Sequence, residues 1–349
     1  MRRQQAPKAR KATAPTKAST YIIYEALNDL NIFLLLRPRQ RRGVKVVPDL
    51  DLSKVGEILW GEKLMKWQGR RQSRNIEDRR GRGRKTASAG GVGGMGVILI
   101  VIIGYFLGVD VTPLLNEQGG GGVQTSGTVE ITAADERAAA FVSVTLADTE
   151  EIWADVFRKQ VGAEYAPPVL VLFKGSTQSA CGGADAATGP FYCPPERKAF
   201  LDTDFFVTME QRLGAGGDFA AAYVVAHEIA HHVQNELGIL GQANQIRAQS
   251  TAEQSNAISV RIELQADCYS GIWARGAQER FGSIERGDIA EAMNAAAQIG
   301  DDTLARNAGR AVQPHTFTHG TSAQRQCWLV RGYESGDLTI CDTFSATQL

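Results

Sequence analysis

Apolar residues recur at Phe219, Ala222, Tyr223, Ala226, Ala230 and Val233, the spacing of one helix face, and predict a helix over residues 218–237. Asp218 is expected as its N-cap after the Gly214-Ala215-Gly216-Gly217 loop, and Gly238 as its stop. A second helical pattern covers about residues 252–280, where Ile262, Leu264, Ala266 and Trp273 make it substantially apolar. Asp148, Glu151 and the stripe Ile152, Trp153, Val156 and Phe157 predict a helix capped at Asp148, and another opens at Asp288 and runs to about Ile299. Short apolar runs at 169–173 and 198–202 read as strands, with 198–202 the candidate edge strand for holding an extended ligand backbone. Helices beside a small sheet make the chain α+β.

The hydropathy pattern changes before this region. No charged residue occurs over 86–109, and its apolar part, 92–109, has 18 residues. At helical rise they cover about 27 Å, close to the hydrocarbon thickness of a bilayer, so a single transmembrane helix is expected. Charge sharpens the boundary. Of 38 basic and 38 acidic residues, residues 1–85 hold 22 and 8, which leaves 16 and 30 beyond; the two parts carry net charges of +14 and −14. Arg79, Arg80, Arg82, Arg84 and Lys85 just before the span predict that this flank stays cytoplasmic, with residues 110–349 outside. The span is long for a signal peptide and lacks an A-x-A cleavage site. Residues 1–64 read as a basic, disordered extension, 65–91 as a basic juxtamembrane segment, 110–129 as a Gly-rich linker around Gly119 to Gly122, and 130–349 as the globular domain. All five cysteines, Cys181, Cys193, Cys268, Cys327 and Cys341, follow the span, which suits an oxidising compartment.

The chemistry lies on the first helix. His227-Glu228-Ile229-Ala230-His231 places two imidazoles one turn apart on one face, where both can bind one metal ion, with Glu228 close enough to act on a water activated by it. A metzincin would need Gly at 234 and His at 237; Gln234 and Leu237 exclude that class. On the second helix, Glu263 and Asp267 share one face: Glu263 can complete a His2Glu zinc site, and Asp267 can accept the other ring N–H of a ligating histidine. His232 is rotated about 100° from His231 and should point away. His315 and His319 sit in a Pro/Thr/Gly-rich loop that can reach the cleft. No cysteine pair has the C-x2-C spacing of a thiolate zinc site.

Several separated motifs resemble one family. They are Met65-Lys66-Trp67-Gln68-Gly69-Arg70-Arg71, Asn75-Ile76-Glu77-Asp78-Arg79-Arg80, Gly189-Pro190-Phe191-Tyr192-Cys193-Pro194 and the stretch from Ala226 to Gln234 around the two histidines. They continue through Glu263-Leu264-Gln265-Ala266-Asp267-Cys268, the stretch from Thr318 to Arg325, and Cys341-Asp342-Thr343-Phe344. Together they resemble the bacterial "putative neutral zinc metallopeptidases", membrane-anchored and of the gluzincin type. The resemblance implies a zincin-like fold, one Zn2+ held by His227, His231 and Glu263, Glu228 as catalytic base, and His319 and Arg325 lining the site. It also implies disulfides Cys181–Cys193 and Cys268–Cys341, with Cys327 outside the family pattern. Because the resemblance begins at Met65, translation is expected to start there.

The expected activity is peptide-bond hydrolysis on proteins or peptides of the cell envelope, at a bacterial inner membrane, with the catalytic domain extracytoplasmic. His319 is the first candidate to stabilise the oxyanion, with Arg325 or Tyr223 behind it. The alternative is a non-catalytic, zinc-stabilised scaffold, against which an intact Glu228 speaks. Nucleic-acid binding has only the basic extension behind it, and the acidic outer domain argues against it.

Overall fold

The computed structural model describes residues 65–81 and 130–349, apart from 186–187, 207–208, 210–216 and 286. The extension expected over 1–64, the span 92–109, the linker 110–129 and most of the glycine loop before residue 217 lie outside the described residues.

Four strands form the main sheet. β1 (Ile76–Asp78) and β2 (Val169–Phe173) are followed by an antiparallel hairpin, β3 (Ser176–Ser179) and β4 (Gly182–Asp185), and then by β5 (Phe191–Cys193) and β6 (Lys198–Asp202). Their order across the sheet is β1-β2-β6-β5, with β2 parallel to both β1 and β6, and β5 antiparallel to β6. Leu170, Leu172, Ala199 and Leu201 face the main core, while Val171, Phe173, Phe200 and Cys193 pack with Ala184 on the opposite side. A sheet covered on both faces takes unbroken apolar runs, which is why β2 and β6 are plain in the sequence. β6 is nevertheless internal over 198–200, where β2 and β5 bond it on both sides, so the edge-strand role expected for 198–202 is corrected there: among the described residues the outer strands are β1 and β5.

Residues 65–81 are not a separate juxtamembrane segment. Met65 is buried, Trp67 Nε1 donates to Asp218 Oδ2 at 3.1 Å, and Ile76 pairs with Leu170 in the sheet. Arg79 and Arg80, read from sequence as cytoplasmic flanking charges, bind Glu77 and Asp78, and Arg80 Nη1 also donates to the Asp135 carbonyl at 2.7 Å. β1 precedes residues 92–109 in the chain and its partner strand follows them. One crossing of a bilayer by 92–109 would put two paired strands on opposite sides. The β1–β2 pairing requires residues 81 and 130 on the same side, which conflicts with the expected single-pass arrangement. Among the described residues, no helix is long and apolar enough to cross a membrane.

The helices that accompany the sheet include α1 (Ala133–Val156), α2 (Asp218–Glu236), α3 (Ile239–Arg247), α4 (Ala252–Phe281), α5 (Asp288–Gln298), α6 (Asp301–Asn307) and α7 (Ser322–Ser335). α1 begins well before the expected Asp148 cap. Thr132 and Asp135 form a capping box, and Asp148 sits mid-helix, buried, 2.7 Å from Arg70 Nη2. Tertiary burial of Phe141, Val142 and Leu146 outweighs the weak helix propensity of the β-branched run between them. Gly217 caps α2, so Asp218 is its first helical residue rather than its N-cap; Gly238 ends it at φ 76°. Alanines at 220, 221, 222, 226 and 230 let α1, α4, α5 and the sheet close around α2, which is buried nearly all round.

α4 and α7 cross in backbone contact. A Cβ on Gly332 would lie 1.8 Å from the Cys268 carbonyl oxygen, and one on Gly271 2.1 Å from that of Leu329. Only glycine allows this approach, and it carries Arg325 on α7 to Asp267 on α4.

Candidate metal centre

Helical spacing puts His227 and His231 on one face of α2 with ring centroids 4.8 Å apart, and the crossing of α4 brings Glu263 to both. His227 Nε2 is 3.0 Å from Glu263 Oε2, and His231 Nε2 is 3.6 Å from Glu263 Oε1. One ligand atom from each residue lies within 4.8 Å of the others. The donor set suits zinc, which takes histidine nitrogen and carboxylate oxygen.

The surroundings fit a cation. The other ring nitrogen of His227, Nδ1, is 3.0 Å from Asp267 Oδ1, in a bent contact rather than an aligned hydrogen bond. Both nitrogens of one imidazole therefore face carboxylates, and the ring can satisfy both only as imidazolium or with a metal at one of them. Burial pulls the His227 pKa down, but Asp267 and Glu263 outweigh it and hold the ring at about 9. Burial raises Glu263, yet His231, His319 and His227 bring it well below the usual carboxylate range. Glu228 behaves oppositely: burial raises its pKa, and the pull of His231 and His227 does not cancel this. A carboxylate of raised basicity beside a metal is suited to taking a proton.

Behind His227 lies a buried polar cluster. Asp267, fully buried, receives Arg325 Nε at 2.8 Å and Nη2 at 2.9 Å, and the Tyr223 hydroxyl donates to it at 2.5 Å. Burial raises Asp267, while Arg325 and His227 bring it below its ordinary value. The oxyanion or substrate role expected for Arg325 and Tyr223 is therefore corrected. They are 2 % and 1 % exposed, Tyr223 bonds to Asp267, and Arg325 divides its donors between Asp267, the Tyr223 hydroxyl and the Ile299 carbonyl.

His319 lies close enough to Glu263 for each group to shift the pKa of the other. Its loop is held by fully buried Asp301, whose Oδ2 accepts the main-chain N–H groups of Thr318, His319 and Gly320 at 2.8, 2.7 and 2.9 Å. Burial lowers the pKa of His319, but Glu263 and Asp301 raise it further. His315 instead sits on an exposed turn, its carbonyl accepting from Asn256 Nδ2. His232 points away as expected, bonded to the Tyr192 hydroxyl and the Ala166 carbonyl. Sequence reasoning missed Asp301 and Gln234. Nothing local marks Asp301, but Gln234 is three residues after His231 on the same helix, a spacing at which side chains meet.

Both implied disulfides are present, Cys181–Cys193 and Cys268–Cys341. The second ties the C-terminal segment to the helix bearing Glu263. Cys327 is an exposed free thiol on α7.

Residues 65–344 match the family model described as "putative neutral zinc metallopeptidase". The chain is 43% identical over 287 residues to YpfJ of Escherichia coli K12, an alignment covering 80% of this chain and 99% of that protein. It is 47% identical over 195 residues to Rv2575 of Mycobacterium tuberculosis H37Rv, covering 53% and 65%. No solved structure matches. The chain belongs to the "putative neutral zinc metallopeptidase" family.

Proposed function

We propose that this protein is a zinc-dependent peptidase whose substrates are proteins or peptides of the cell envelope. The observation that carries the reading is the convergence of His227, His231 and Glu263 within 4.8 Å, with Glu228 on the same helix and raised in pKa. Bound by these three residues, zinc supplies Lewis acidity, polarising a scissile carbonyl and acidifying a water. Glu228 takes the proton of the attacking water and returns it to the leaving amine. His319, raised in pKa and held by its loop, donates to the developing oxyanion. Asp267 orients His227, and Tyr223 and Arg325 hold Asp267.

Two disulfides favour an extracytoplasmic site of action. The β1–β2 pairing adds that residues 65–81 share that side with the domain, so any membrane contact by 92–109 leaves both flanks together. A structural zinc site would have no need of Glu228, which argues against a purely scaffolding role.

The test is metal content and cleavage mapping on a peptide library with the full-length chain. Wild type should hold one zinc and cleave, Glu228→Gln should hold zinc without cleaving, and Glu263→Ala should lose the metal. Full cleavage by the purified Glu228→Gln protein, or none by the zinc-loaded wild type, would overturn the assignment.

A further inference from the structure

We infer that Gln234 is a positioning residue that fixes His231 as its Nδ1–H tautomer, so that Nε2 presents its lone pair to the metal. The inference rests on the zinc reading of His227, His231 and Glu263.

A chain of buried amides forces the polarity. His231 Nδ1 is 2.9 Å from Gln234 Oε1, and Gln234 Nε2 donates to the Ile262 carbonyl at 2.8 Å and to Gln265 Oε1 at 3.0 Å. Gln265 Nε2 in turn donates to the Cys341 carbonyl at 3.0 Å. Amide nitrogen and oxygen are ordinarily interchangeable by a flip, but here both ends are main-chain carbonyls, which only accept. Ile262 oxygen therefore demands the NH2 of Gln234, which turns Oε1 toward His231. Cys341 oxygen demands the NH2 of Gln265, which turns its Oε1 toward Gln234. With an acceptor opposite it, His231 Nδ1 must carry the proton.

Gln234 is fully buried and Gln265 is 3 % exposed, so water does not compete at either amide. The two histidines are thus oriented by different chemistry, His227 by the Asp267 carboxylate and His231 by a neutral amide. The amide chain also joins the metal ligand to the segment tied down by the Cys268–Cys341 disulfide.

The test compares the full-length wild type with Gln234→Met and with Gln234→Met/Gln265→Met. Zn2+ affinity is measured by competition with a chromophoric chelator, histidine ring N–H signals by 15N NMR of the zinc-loaded protein, and melting temperature without metal. Gln234→Met should weaken Zn2+ binding about 10- to 100-fold and expose the His231 ring N–H to exchange while that of His227 stays protected. The double variant removes the amide left unpaired by the single one, and the Cys341 carbonyl keeps the Thr343 N–H at 2.9 Å. It should regain melting temperature without regaining affinity. Wild-type affinity with an unchanged His231 ring signal in Gln234→Met overturns the inference alone, as does affinity that returns together with stability in the double variant. A wild type that binds no zinc overturns the metal reading and this inference with it.

Discussion

Arg325→Met tests whether Arg325 is the counter-ion of Asp267 or a group for substrate. Asp267 is fully buried, and the guanidinium reaches it through two bonds of 2.8 and 2.9 Å. Removing it leaves the carboxylate with only the Tyr223 hydroxyl and the bent contact from His227. Breaking a buried ion pair from one side costs about 3–5 kcal/mol, because the remaining charge stays desolvated. For a domain of this size, that is a fall of roughly 6–20 °C in melting temperature. Asp267→Asn alone strands the guanidinium and should cost a similar amount. The double variant Arg325→Met/Asp267→Asn removes both charges of this buried pair and should recover much of the loss, giving a coupling of about 2–3 kcal/mol in the double-mutant cycle. The assay is thermal unfolding of chelator-treated protein, with zinc content alongside. If Arg325 instead met substrate, Arg325→Met would raise KM and leave the melting temperature unchanged. That outcome, or additive losses in the cycle, refutes the reasoning.

Gly332→Ala should destabilise by about 3 kcal/mol or more, since its Cβ meets main-chain oxygen that no rotamer change can move; Gly241→Ala, with nothing within 4 Å on α3, should be neutral or slightly stabilising by thermal melting. His227 gives opposite pH trends for stability and metal binding. Its folded pKa, about 9 against an ordinary 6.5, contributes stability to the metal-free protein that is complete below about 6.5 and lost as pH rises through 9, on the order of 3 kcal/mol. Zinc needs the deprotonated ring, so its affinity should instead fall about tenfold per unit as pH drops below 9; competition titrations and chelated melts across that range check both, and parallel trends would be inconsistent with the assignment. An epitope placed before Met65 and one after Leu349 should be protease-accessible from the same side of sealed membrane vesicles, as β1–β2 pairing requires; opposite sides would show that β1 does not pair in the membrane-bound protein.

Much of the centre was legible because it obeys local periodicity. The pairs His227 and His231, and Glu263 and Asp267, are one helical turn apart, so the 3.6-residue repeat alone places each pair on one face. The apolar runs of β2 and β6 showed themselves because both faces of the sheet are covered. β1 offered no such signal: three residues with Glu77 and Asp78 among them become a strand only through pairing with β2. Asp148 read as a cap because an acidic residue before an apolar stripe resembles one, whereas its true setting, mid-helix against Arg70, depends on a contact 78 residues away in sequence.

The sequence by itself determined the metal-binding residues as candidates, since helix geometry is local and repeats every turn. The directions of the remaining polar groups were decided by tertiary structure. Arg325 turns to Asp267 because glycines at 271 and 332 let two helices touch, and Gln234 turns its oxygen to His231 because carbonyls on other segments claim its nitrogen. Those partners are distant in sequence, and only packing brings them within hydrogen-bonding range.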